Sequence, residues 1–339
     1  MGKVINVQMD EDFYNEIIQG GSGNGGGSTG GGSTSKPKWT GHADVEGLKA
    51  IGWDDEDIAY YQANGVNWNE EDDQYHKVPE DNIALYGVLT TDNISTYKER
   101  IVYLPKIDTS NVTDMNNMFY SCYTLVSIPK LDTSSVTNMY CIFSFCYSLV
   151  SIPRLDTSKV KNMSRMFYKC YSLVSIPKLD TSSVTNMNQM LSDCSLITSI
   201  PQIDTSKVIN MYNMFYNCFS LVSIPKLDTL KVLDMGQMFY YCYAIVSIPQ
   251  LDTSSVTNMN QMFSNCFSAQ IVNLKGMKVA LDVSKTQLFT KDSLLYIINN
   301  ESATKVITIK LSSYCYTKYS TDADVVAALS NHPNISLAS

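Results

Sequence analysis

The sequence predicts an α/β fold: a right-handed solenoid of seven 24-residue helix-strand coils, with a small mainly helical N-terminal unit before it and a C-terminal α/β cap after it. Three observations predict this. Pro105, Pro129, Pro153, Pro177, Pro201, Pro225 and Pro249 recur every 24 residues, and Cys122, Cys146, Cys170, Cys194, Cys218, Cys242 and Cys266 keep the same step. Within one step, Met115, Met118, Phe119 and Cys122 fall at i, i+3, i+4 and i+7, one apolar face of a two-turn helix, while Leu125, Ile128 and Leu131 form a short extended segment interrupted by Pro129. A piece this short with one apolar face cannot fold alone, so the coils must stack, about 4.8 Å apart at the strands.

The elements follow in chain order. Residues 1–19 carry an apolar cluster, Val4, Ile5, Val7, Phe13, Tyr14, Ile17 and Ile18, too small to make its own core. It is either a frayed terminus or an anchor peptide that docks on a larger assembly. Residues 20–36 are a Gly/Ser-rich linker holding nine of the 17 glycines, and such sequence stays flexible because it has little apolar surface to bury. Residues 37–100 form an acidic unit with candidate helices at 44–51 and 54–63; Asp54, Asp55, Glu56 and Asp57 suit the positive end of the second helix. Those acids do not follow the spaced calcium-loop pattern. Residues 101–268 hold the seven repeats. From 269 to 339 the period is expected to be lost, and segments at 290–299, 305–311, 322–329 and 335–337 read as helix, strand, helix and strand of a cap over the last coil.

Composition bounds the function. A chain of 339 residues with 44% hydrophobic content buries a core, which rules out wholesale disorder. No apolar run approaches the roughly 18 residues that cross a bilayer, and no signal peptide is visible. The formal charge of −8 is uneven: −3 over residues 1–35, −8 over 36–100 and +3 over 101–339. No segment joins a basic excess to a nucleic-acid motif, so nucleic acid is not an expected partner. His42, His76 and His332 are far apart, and no nucleophile motif, zinc spacing or phosphate loop occurs. The chain is therefore expected to be no enzyme, with no cofactor and no metal.

Stacking turns each repeated residue into a row. Asp108, Asp132, Asp156, Asp180, Asp204, Asp228 and Asp252 would set like charges about 4.8 Å apart, at a cost near 1 kcal/mol per neighbouring pair. Asx-turns of the Asp132-Thr133-Ser134 type, and cations two residues earlier (Lys106, Lys130, Arg154, Lys178 and Lys226), would offset that repulsion. A calcium row is the rival reading, but calcium-binding rolls need glycine-rich loops and the repeats contain one glycine, Gly236. The Cys row reads as buried thiols that fill space. Asp114, Asn138, Asn162, Asn186, Asn210, Asp234 and Asn258 form a polar row expected to bond the backbone of the next coil. Tyr123, Tyr147, Tyr171, Phe219, Tyr243 and Phe267, with Ser195 breaking the row, form the candidate binding surface, because part-exposed rings either stack on one another or carry binding energy.

The unit S-I-P-x-L-D-T-S-x-V-T-N-M-x-x-M-F-x-x-C-x-S-L resembles the BspA-like leucine-rich repeat of bacterial surface proteins over residues 101–268, about half the chain. That resemblance implies a leucine-rich-repeat solenoid and an adhesive, extracellular binding role. The segments WTGHADVEGLKAIGWDDEDIAYY and FTKDSLLYIINN resemble flanks of phage tail-fibre-like proteins. Together they imply a phage fibre or adhesin on the virion, attached to its assembly partner through residues 1–19 and meeting a bacterial surface protein or glycan through the solenoid or cap. The alternative is a BspA-like adhesin on the bacterial cell surface.

Overall fold

The computed structural model describes Ile94, Ile101 and residues 109–339. The anchor residues Val4 to Ile18, the linker and nearly all of the acidic unit lie outside the described residues. What is described is a parallel-stacked solenoid. Asp114, Asn138, Asn162, Asn186, Asn210, Asp234 and Asn258 are joined in sequence by parallel bridges. Its interior is a set of continuous rows: Met115 and its repeats, Cys122 and its repeats, and ring stacks Phe119–Phe143–Phe167 and Phe215–Phe239–Phe263 with centroids 5.5 to 5.6 Å apart. Leu191 separates the two ring stacks.

The helix expected in each coil is not formed. Over residues 115–122 the amides alternate between two destinations. Met115, Asn117, Phe119 and Ser121 donate to the next coil, to the carbonyls of Asn138, Tyr140, Ile142 and Ser144 at 2.8 to 3.0 Å, whereas Met118, Tyr120 and Cys122 donate three residues back within the coil at 3.0 to 3.2 Å. An α-helix would spend every amide within the coil. The alternation requires left-handed backbone at every fourth residue, and Asn117 (φ 56°) and Ser121 (φ 61°) supply it, with equivalents in each coil through Gln261 and Asn265. None of these fourteen positions holds Val, Ile or Thr, the residues that tolerate left-handed backbone least. A turn repeating every four residues buries the same positions as a helix of 3.6, which is why the apolar spacing suggested the wrong element.

The 24-residue step also runs further than expected. Strand β1 (Ser247–Asp252) pairs in parallel with β2 (Ile271–Lys275), Ser247 opposite Ile271, with an irregularity between Ile248 and Leu251. After that the step lengthens. A second parallel sheet, in the order β3-β4-β5, consists of β3 (Leu281–Val283), β4 (Ile307–Leu311) and β5 (Ile335–Ala338), with Leu281 opposite Ile309 and Ile309 opposite Leu337, a step of 28 residues.

These longer coils contain true helices: α1 (Lys291–Asn299), α2 (Ser313–Tyr319) and α3 (Ala323–Asn331). Helix α2 and strands β2 and β3 are additions to the elements read from the sequence. Each helix has a side-chain N-cap, Thr290, Ser312 or Asp322, accepting from a first-turn amide. Lys291 at the start of α1 reaches Asp322 (3.2 Å) and Asp324 (2.9 Å) at the start of α3. No helix among the described residues is long and apolar enough to cross a membrane.

Candidate binding surfaces

The buried rows fix which side chains face outward. Each Leu or Ile of the strand segment points in (Leu155, Leu179, Ile203, Leu227), so the residues on either side point out, as strand alternation demands. Arg154, Lys178, Gln202, Lys226 and Gln250 form one exposed row, and Asp156, Asp180, Asp204 and Asp228, with the half-buried Asp252, form the next. Together with the Thr and Ser that follow, these rows line a groove of about 1380 Å³.

Local hydrogen bonds settle the charge state of the groove. Oδ1 of Asp156 accepts from the Ser158 amide (3.0 Å) and hydroxyl (2.7 Å), and Asp180 does the same with Ser182. The Ser158 hydroxyl and amide hold Asp156 below the ordinary carboxylate range, and the Ser182 pair does so for Asp180. For Asp204 the Ser206 amide leads. Asp156, Asp180 and Asp204 are therefore ionised at neutral pH. Asx-turns and cations were both expected to offset the row's repulsion; at Asp156 the Asx-turn bonds from Ser158 lead, and Arg154 is the weakest of the influences. No ion pair joins Arg154, Lys178 or Lys226 to these carboxylates, among the described residues. The buried Thr row beneath ties coil to coil: Thr157 Oγ1 donates to the Asp180 carbonyl, and Thr181 Oγ1 to that of Asp204, both at 2.8 Å.

The polar row behaves differently from the expectation. Oδ1 of Asn138, Asn162, Asn186 and Asn210 accepts from the amide two residues on in its own coil, at 2.9 to 3.1 Å, while the backbone itself makes the bonds to the next coil. A short polar side chain followed by a turn does this by preference. The Cys row has a role that apolar spacing does not reveal. Each thiol from Cys146 to Cys266 donates to the carbonyl of a residue 27 positions earlier, from Phe119 to Phe239, at 2.9 to 3.2 Å. None of the nine cysteines forms a disulfide, and all are buried. Burial pushes the thiols of Cys146, Cys170, Cys194, Cys218, Cys242 and Cys266 up, that of Cys266 to about 12, so these six are poor nucleophiles.

None of the six candidate aromatics lines the groove. They lie on another part of each coil as two stacks, Tyr123–Tyr147–Tyr171 at 5.0 and 5.2 Å and Phe219–Tyr243–Phe267 at 5.2 and 5.4 Å, with Ser195 between. Tyr147 and Phe267 are exposed and the other four half-buried. Three residues after this row comes an exposed apolar one, Val150, Val174, Val222 and Val246, interrupted by Thr198. Among the described residues no three His, Cys, Asp or Glu side chains gather in a way that would hold a metal ion.

The family model described as "Mycoplasma protein of unknown function, DUF285" matches residues 91–197, 149–246 and 174–277, which together cover more than half of the chain. Two solved structures similar to it are leucine-rich repeat proteins. One, from T. pallidum, is 21% identical with a TM-score of 0.38 over 49% of this chain and 76% of its own. The other, from Bacteroides ovatus, is 14% identical with a TM-score of 0.23 over 71% of this chain and 85% of its own. No curated protein matches the chain.

Proposed function

We propose that this chain, which belongs to the DUF285 family, is a non-enzymatic adhesin whose solenoid holds a component of a bacterial surface, protein or glycan. The groove carries this reading. It offers, coil after coil, a carboxylate with Oδ1 committed to its own turn and Oδ2 outside that turn, beside Arg154, Lys178 or Lys226 outside any ion pair given by the structure. Charges held apart from one another are ready to meet a ligand without first breaking internal bonds, which lowers the cost of binding. Because both signs alternate, the groove suits an extended partner with donors and acceptors along its length rather than a polyanion such as nucleic acid. Repetition at about 4.8 Å lets many weak contacts act together on such a partner.

Placement is part of the same proposal. The resemblance of the flanks to tail-fibre-like proteins supports a virion fibre, with residues 1–19 as anchor and 20–36 as tether; a bacterial cell-surface adhesin is the alternative. Deleting residues 1–19 is expected to abolish incorporation into particles while the solenoid stays folded, and normal incorporation would remove the anchor. For the binding step, the measurement is sedimentation of the full chain with bacterial cells. Lys178→Asp together with Lys226→Asp is expected to lower cell binding at least tenfold, roughly the loss of two charge-assisted contacts, while Tyr147→Ala changes it little. The reverse result would move the surface from the groove to the aromatic and valine rows.

A further inference from the structure

The ring stacks of the solenoid stop at the fourth coil. Leu191 stands between Phe167 and Phe215 in the interior, and Ser195 stands between Tyr171 and Phe219 further out, so neither stack crosses this level. A polar side-chain bond does cross it. Asp193, only 7% exposed and in left-handed backbone at φ 63°, accepts on Oδ1 from Asn217 Nδ2 of the next coil at 2.8 Å and on Oδ2 from Ser192 Oγ at 3.0 Å.

The cluster is closed to solvent and incomplete. Ser192 is fully buried, and Oδ1 of Asn217 is buried with no hydrogen-bond partner. An unmet buried acceptor is costly, and an ionised carboxyl beside it brings no relief because it has no proton to donate. A protonated carboxyl has one. With a proton taken from solvent onto Oδ2, Asp193 can donate to Asn217 Oδ1 while Oδ1 still accepts from Asn217 Nδ2, which closes a two-bond ring between carboxylic acid and amide.

The surroundings favour the neutral acid. Burial raises the Asp193 carboxyl above its ordinary range, against the lowering effects of Asn217, Ser192 and Lys169. Lys169, on the preceding coil, is the cation that acts on it, but its Nζ lies over the rings of Phe145 (5.5 Å) and Tyr168 (5.7 Å) and makes no ion pair with Asp193, among the described residues. Burial also leads in raising Tyr168, Tyr216, Cys194 and Cys218, with the charge of Asp193 adding to each, so all four stay neutral where carboxyls titrate. Asp193 is the group of this cluster that changes charge below neutral pH.

We propose that Asp193 and Asn217 form a proton-operated latch between the fourth and fifth coils, closed by two hydrogen bonds when Asp193 carries a proton and held by one when it does not. Acid tightens this level of the solenoid. The latch does not depend on the adhesive reading, although the groove from Arg154 to Asp252 runs across the same coils.

The test is hydrogen exchange of the full chain, corrected for the pH dependence of the chemical step. The Asp193 amide donates to the Tyr216 carbonyl at 2.7 Å and reports on the latch; the Phe145 amide, in the same position two coils earlier, donates to the Tyr168 carbonyl at 2.7 Å and serves as control. Between about pH 8 and about pH 5, where an ordinary aspartate stays ionised, protection at Asp193 is expected to rise about threefold to tenfold, the worth of one net hydrogen bond. Phe145 is expected to hold steady. Asp193→Asn, whose amide supplies the missing donor at any pH, is expected to show the acid-side protection at both. Asn217→Gly removes the partner in a backbone that glycine accepts, φ 58°, and is expected to lose most of the rise. No rise at Asp193, an equal rise at Phe145, or a full rise in Asn217→Gly would overturn the latch, the last by showing that burial alone responds to acid.

Discussion

The 24-residue coils and the 28-residue coils that follow them solve one stacking problem in two ways. Both pair their strand segments in parallel with a neighbouring coil, but the first six short coils send every second amide of residues 115–122 and their equivalents across to the next coil. The long coils close those amides within α1, α2 and α3 and pack the helices through side chains. The short design needs left-handed residues, at about 1 to 2 kcal/mol each, and recovers that in direct backbone bonds between coils. Cooperation between neighbouring coils is therefore built into the backbone in one region and into side-chain packing in the other.

The thiols give the largest contrast. Cys170 Sγ donates to the Phe143 carbonyl at 3.1 Å, whereas the carbonyls nearest Cys315 Sγ lie at 3.4 to 3.8 Å. Cys170→Ala is expected to cost about 1 to 3 kcal/mol, through a lost inter-coil bond and a small cavity, and Cys315→Ala less. Urea unfolding measures both, and equal losses would mean the thiols only fill space.

Glycine tests the backbone itself. In α3, Ala327→Gly is expected to cost about 1 kcal/mol, as in any helix interior. At Gln261, where φ is 54°, the same change to Gly relieves the left-handed backbone and is expected to be neutral or to stabilise by up to about 1 kcal/mol. A destabilised Gln261→Gly would restore the helical reading of the short coils.

Titration gives the smallest effect, because the groove carboxylates are exposed. Asp156, Asp180 and Asp204 have folded-state values below their unfolded ones, so their contribution is present above the unfolded value, near pH 4, and fades as pH falls through the folded one. Asp193 is raised, so the sign reverses: its ionisation destabilises as pH climbs from the ordinary carboxylate value through the raised one. Thermal midpoints against pH should show Asp193→Asn removing a decline on that side while leaving the acid-side loss in place. An unchanged profile would mean Asp193 titrates normally.

Much of this molecule was legible as spacing. The step of 24 fixed which residues stack, which side chains are buried, and that Asp132-Thr133-Ser134 and its copies form turns. The aromatic row and its break at Ser195 were also readable, since a row is only a repeated letter once coils are stacked. The groove is not legible in the same way, because spacing defines one row at a time and a concavity belongs to several coils together. Asp193 is hard to read for a related reason: its row runs Ser121, Phe145, Lys169, Asp193, Asn217, Tyr241 and Asn265, with no common residue type for it to depart from.

The sequence by itself determined the repeat, the inward face of each coil and the rows. Only the tertiary structure decided whether that inward face was helix or turn. Local spacing cannot distinguish a period of 3.6 from one of four over eight residues, and the choice lies with the amides, whose partners are carbonyls 23 residues away on the next coil. The absence of β-branched residues at the fourteen left-handed positions is the one local trace of that choice.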